Sequence, residues 1–143
     1  MPLSFAETMS GTYEPIDAPG QRRPFRFDVD VHAPSFWRHL RDGKAELAGT
    51  VEAPPLATHA PLRGTIVIRP IGGRFIRYEF EFTGDDGARY TFAGQKDIAW
   101  LDLVRTWTTL PGEIRAGERV VATCEAFFDL EDGPAFVRSF SLR

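Results

Sequence analysis

Lys96, Arg105 and Arg138 are the residues whose type and spacing suggest chemistry. Each sits in a row of alternate residues that is otherwise aromatic or apolar. Lys96 follows Tyr90, Phe92 and Gly94; Arg105 precedes Trp107; Arg138 lies between Phe136 and Phe140. Alternate side chains of an extended strand share a face, so if these faces line an interior, three cations meet an aromatic cavity. That lining would suit an amphiphile with an acidic head, such as a fatty acid or a sterol acid. Taken alone, Lys96 has two readings. Inside a core, desolvation lowers its pKa and makes it a base, a Schiff-base nucleophile or an anion anchor. At a strand end, its stem covers apolar surface while the ammonium reaches water or a nearby acid, Asp97 or Asp102.

The polar members of other apolar rows pose the same question. Tyr78 belongs to the row Ile76, Tyr78, Phe80, Phe82; its hydroxyl needs a partner if buried, and it either packs or binds a ligand carbonyl or hydroxyl. Glu7 shares a row with Phe5, Met9 and Tyr13. It is either an interior carboxylate or the partner of a cation on the adjacent strand. Arg77 alternates with Tyr78 and shares a charged face with Glu79 and Glu81, which points to cross-strand ion pairs on the outside. His32, His39 and His59 show neither helix-spaced nor strand-spaced pairing, so no metal site is assigned. No GxSxG elbow and no Gly-rich dinucleotide fingerprint is present, and no catalytic residue or cofactor is assigned. Cys124, the lone cysteine, lies in an apolar row; it excludes an internal disulfide and a cysteine-based zinc cluster.

These residues must be positioned by strands. Period-two alternation runs through Phe25–Val31, Ile76–Phe82 and Val120–Phe128, with shorter rows at Leu47–Val51 and Ile66–Ile68. Turn signals separate the runs: Gly72-Gly73, Asp85-Asp86-Gly87 and Glu131-Asp132-Gly133-Pro134. Pro111-Gly112 and Ala116-Gly117 are expected to bracket a short connection near Ile114, and residues 14–24 to form a long, mobile loop. EAPPLATHAP, with Pro54, Pro55 and Pro61, reads as a loop or a broken edge strand. The stretch APSFWRHLRDGK predicts one short helix, capped by Ser35 and ended by Gly43. Short loops between amphipathic strands imply an antiparallel meander. About eight to ten strands with one apolar face must close on themselves or fold into two layers. The expected fold is therefore a single domain over 1–143: an all-β, up-and-down, calycin/lipocalin-like barrel with one short helix. A β-sandwich is the second choice.

Composition narrows the function classes. The chain has 143 residues with 43% hydrophobic and 26% charged residues, which fits one globular domain rather than a disordered or fibrous chain. A net charge of -3 argues against nucleic acid, whose binders carry a basic stripe. No stretch approaches the ~20 apolar residues of a membrane span, and MPLSFAETMSG lacks the pattern of a secretory signal. The expected location is the cytoplasm.

Between Phe25 and Ile114 the chain carries Gly49-Thr50-Val51, Gly64, Arg77-Tyr78, Gly94 with Lys96, and Trp107-Thr108-Thr109-Leu110. In this order the pieces resemble a β-rich domain found fused to, or beside, bacterial GMC-type flavin oxidoreductases of the cholesterol-oxidase kind. The resemblance implies a module adapted to lipid-like or sterol-like molecules, with no oxidase activity, since the flavin fingerprint is missing. The expected function is thus a non-catalytic binding or accessory module. It would hold an apolar or amphipathic small molecule against Lys96, Arg105, Trp107, Arg138, Tyr78, Phe80, Tyr90 and Phe92. Two alternatives stay open. One is a module that docks to an oxidoreductase or dimerises through Phe36, Trp37 and the proline-rich edge. The other is a small barrel enzyme, an isomerase or cyclase, whose mark would be Lys96 paired with Tyr78 or Glu7.

Overall fold

The computed structural model describes residues 3–33, 43–69, 75–97, 109–128 and 141–142. Nine antiparallel strands follow in order: β1 (Leu3–Pro15), β2 (Arg23–Ala33), β3 (Lys44–Ala53), β4 (Ala57–Arg69), β5 (Phe75–Thr83), β6 (Arg89–Asp97), β7 (Thr109–Ala116), β8 (Arg119–Phe128) and β9 (Ser141–Leu142). Each pairs with the next from β1 to β8, and β8 pairs back with β1. The sheet is therefore a closed, eight-stranded up-and-down barrel, consistent with a calycin-like architecture. The two-residue β9 adds to the N-terminal end of β1. Closure excludes the sandwich. Of the expected helix at 35–43 only Gly43 is among the described residues; the Gly72-Gly73 and Glu131–Pro134 turns lie outside them. Among the described residues no helix is long and apolar enough to cross a membrane.

Alternation is what forces this shape. β5 reads buried at Ile76, Tyr78, Phe80 and Phe82 and exposed at Arg77, Glu79 and Glu81, and β6 shows the same rhythm from Tyr90 to Lys96. One apolar face per strand can be hidden only by curling the sheet around it. Aromatic rings then fill the middle. Phe80 and Phe92 face each other across β5 and β6 and stack at 4.8 Å between centroids. Phe27 of β2 meets them edge-on or tilted at 5.2 and 5.7 Å, and Phe25 touches Phe92 at 5.4 Å. Gly94 and Gly112 pair directly across β6 and β7 because the Phe92 ring lies over both. A Cβ added at either would come within 2.8 Å of that ring.

The two ends of the barrel differ. One end is made of tight turns. Gly87 (φ +82°) and Gly117 (φ +64°) take the left-handed conformations that the β5–β6 and β7–β8 turns need. The Asp85 carboxylate accepts hydrogen bonds from Thr58 N at 2.9 Å and Thr58 Oγ1 at 2.7 Å, fastening two neighbouring turns together. Tyr13 donates from inside to the Pro54 carbonyl at 2.9 Å, where the chain turns between β3 and β4 through the cis Pro54-Pro55 bond. At the other end the chain passes from β2 to β3, from β4 to β5 and from β6 to β7.

Two local expectations are corrected. Residues 14–24 are not a long mobile loop: β1 runs to Pro15, and Ala18 N→Pro15 O and Gln21 N→Ala18 O close successive turns before β2 begins. Pro111-Gly112 does not end a strand; both lie within β7, where Gly112 pairs with Gly94 and Cys124. Proline is tolerated there because β6 pairs with β7 only from Gly112 onward, leaving Pro111 without a partner on that side. Pro61 similarly sits exposed within β4, next to a bulge at His59 (φ 47°).

Phe27→Ala would open a cavity among Phe25, Tyr78, Phe80 and Phe92. Chemical denaturation should show a loss of about 3–5 kcal/mol, whereas truncating the outward Phe127, 42% exposed, should change stability by no more than about 0.5 kcal/mol.

Candidate functional site

Three strands bring polar side chains into the interior on the side of the aromatic stack away from the Gly87 and Gly117 turns. β1 contributes Glu7, β5 Tyr78 and β6 Lys96. The register decides the arrangement: Tyr78 stands opposite Gly94, and Lys96 opposite Ile76, so Lys96 is the diagonal neighbour of Tyr78 across the ladder. The lysine leans over the tyrosine ring, with Nζ 5.3 Å from the centroid. The Tyr78 hydroxyl donates to Glu7 Oε1, a contact reaching across the barrel between residues far apart in sequence. Val31, Leu47, Ile66 and Ile76, all buried, supply apolar surface at the same end.

Burial and charge set the protonation states. Lys96 is only 4% exposed; burial lowers its pKa from the ordinary 10.5, and the negative charge of Glu7 restores part of the loss. Tyr78, 1% exposed, has its pKa pushed well above 10.0 by burial first, then by the charge and hydrogen bond of Glu7. The hydroxyl therefore stays protonated and donating while Glu7 accepts. Among the described residues no side chain makes a hydrogen bond or ion pair with the Lys96 ammonium; its contact is the Tyr78 ring face, a cation–π interaction.

The strand-end reading of Lys96 is thus replaced by the interior one. Asp97, one of the two expected partners, points outward and accepts from Gln95 Nε2 at 2.6 Å, since adjacent strand residues face opposite sides; Asp102 lies outside the described residues. Arg77 is outside, as expected, but bonds Gln95 Oε1 at 2.9 Å through Nε; the ion pair on that face joins Glu81 to Arg89 at 3.0 Å. Of the residues assigned to ligand binding, Lys96 and Tyr78 come together. Phe80 and Phe92 form the packed floor beneath them. Tyr90 lies six residues from Lys96, about 20 Å along the strand, at the tight-turn end, and donates to Asp86 Oδ2 at 2.9 Å. Arg105, Trp107 and Arg138 lie outside the described residues. Glu7, left undecided between interior and pairing roles, is the member the ligand-binding set lacked; its place in the row Met9–Tyr13 was the available signal. Cys124 is buried and its thiol is pushed up to about 12 by burial and the nearby Glu113 charge.

A separate cleft of about 440 Å³ opens on the tight-turn end, between Tyr13, Ile16, Leu56, Tyr90 and Arg119. Among the described residues no three His, Cys, Asp or Glu side chains converge as metal ligands. No protein-family model, no curated protein and no solved structure matches the chain, so the likeness to the GMC-associated domain rests on the sequence pieces alone.

Two measurements check the cluster. Tyr78→Phe leaves the Glu7 carboxylate without its donor, and should lower unfolding free energy by about 1–3 kcal/mol. For Lys96 the folded state holds the proton less tightly than the unfolded chain. Between its lowered pKa and 10.5 the unfolded state therefore binds more protons, and stability rises with pH. The unfolding free energy of the native chain minus that of Lys96→Met should accordingly increase as pH rises through this window; a flat or falling difference contradicts the buried ammonium.

Proposed function

We propose that the barrel is a non-catalytic binding module for an apolar or amphipathic small molecule, with the ligand's polar head at Lys96, Tyr78 and Glu7. The observation that carries this reading is a buried lysine without an ion-pair partner among the described residues, beside a tyrosine–carboxylate pair and aliphatic side chains. Burying such a charge is costly unless something compensates it, and a ligand acid or carbonyl at the ammonium would do so. Support for entry from the Lys96 end comes from the Phe25–Phe27–Phe80–Phe92 packing, which fills the middle of the barrel. Apolar walls with a few convergent polar groups are the usual make-up of a small-molecule site. The sequence resemblance to a domain associated with sterol-active oxidoreductases favours a lipid-like or sterol-like ligand.

Native mass spectrometry and intrinsic fluorescence titration with decanoic acid and decanol test the proposal. Both should bind, and Lys96→Met should weaken decanoate by about tenfold or more, the worth of one charge-assisted hydrogen bond, while changing decanol little. A chain that stays bare with both probes, and with a sterol acid, would end this reading.

A further inference from the structure

Of the 17 lysines and arginines in this chain only Lys44 and Lys96 are lysines. Lys44 is exposed on β3; the other sits inside the barrel. Arginine is better suited to holding an anion at a fixed site, because its planar fork pairs with a carboxylate and never loses its charge. An interior amine in so arginine-rich a chain offers something that arginine lacks, a nitrogen that gives up its proton and becomes a nucleophile.

We propose that Lys96 is a covalent site, whose amine condenses reversibly with an apolar aldehyde held in the barrel to form a Schiff base. The inference rests on the binding reading above and names its substrate class. The surroundings fit each step. The neutral Nζ adds to the carbonyl carbon, and the carbonyl oxygen becomes the hydroxyl of a carbinolamine as the proton moves from nitrogen to oxygen. Loss of that hydroxyl as water, with one proton taken up from solvent, leaves a protonated C=N bond. One C=O bond is exchanged for one C=N bond, one water is released, and nothing is oxidised or reduced. Burial, which lowers the lysine pKa, enlarges the neutral fraction that starts the reaction. The Glu7 carboxylate, whose charge acts on Lys96, balances the iminium. Tyr78 holds that carboxylate in place through its hydroxyl, and its ring face lies under the nitrogen. Among the described residues no fully enclosed side-chain nitrogen or oxygen lacks a hydrogen-bond partner. The Lys96 ammonium, which has none among the described side chains, is therefore not fully enclosed, and a carbonyl can approach it.

The folded native chain, incubated near neutral pH with decanal and sodium cyanoborohydride and then mapped by peptide mass spectrometry, decides the matter. The reagent reduces the imine to a stable secondary amine, so each site reports its own rate, and Lys44 is a built-in control. Lys96 should carry the decyl group faster than Lys44, since its lowered pKa leaves more of the amine neutral. Lys96→Arg should abolish the fast site and leave the Lys44 rate as it was. Modification of Lys44 at the same rate as Lys96, or faster, overturns the inference. Decanol, which has no carbonyl, separates this proposal from its parent. If decanol binds while Lys96 resists trapping, the binding reading stands and the covalent one falls. If decanol, decanoic acid and the sterol acid all fail to bind and Lys96 is not trapped, both fall.

Discussion

Strand β1 hydrogen-bonds to β2 along one edge and to β8 along the other, and on this double pairing the rest of the molecule depends. Its ladder with β2 runs from Leu3↔Ala33 to Tyr13↔Arg23, and that with β8 from Met9↔Phe128 to Pro15↔Ala122. Closure removes both free edges of the sheet and divides every strand into an inward and an outward row. On the outer face of the seam, Thr8 donates to Asp28 at 2.5 Å and Arg26 bonds the same carboxylate at 3.1 Å. Partial burial pushes the Asp28 pKa up, but these hydrogen bonds outweigh it and hold the carboxyl below its ordinary value. On the inner face the same strand delivers Met9 to the core, Tyr13 to the closed end and Glu7 to Tyr78.

The aromatic stack divides the interior by function. Stacked and edge-on rings at the level of Phe27, Phe80 and Phe92 occupy the mid-height, and at the tight-turn end Tyr13, Tyr90 and the bonds that Asp85 and Asp86 make tie the turns together. The polar cluster is left to the opposite end. Gly94, opposite Tyr78, leaves room for the floor beneath the cluster: a Cβ there would press on the Phe92 ring, the Pro111 carbonyl and Leu110. The cluster is thus a product of register as much as of residue type: shifting β6 by one residue would turn Lys96 to the solvent and Gln95 inward.

Much of the architecture was legible along the chain. Alternation at Phe25–Val31 and Ile76–Phe82 marked the strands, and Asp85-Asp86-Gly87 and Ala116-Gly117 marked turns, because period-two burial and left-handed turn residues are local requirements. Pro111 misled because a proline reads as a strand end unless the absence of a partner on one side is known, and that is a property of the neighbouring strand. Residues 14–24 misled because prolines and charges there disguise two consecutive hydrogen-bonded turns.

The sequence by itself determined the strands, their apolar faces and the need for a closed sheet, since each follows from side chains two residues apart. It also placed Lys96, Tyr78 and Glu7 in apolar rows. Only the tertiary structure decided that these rows meet. Glu7 and Tyr78 lie far apart in the chain, and whether a carboxylate on β1 reaches a hydroxyl on β5 depends on closure, on barrel width and on the register of strands between them. For the same reason Tyr90, though in the same row as Lys96, belongs to the other end. A row records which face a side chain occupies; its height and its neighbours across the interior come from the fold.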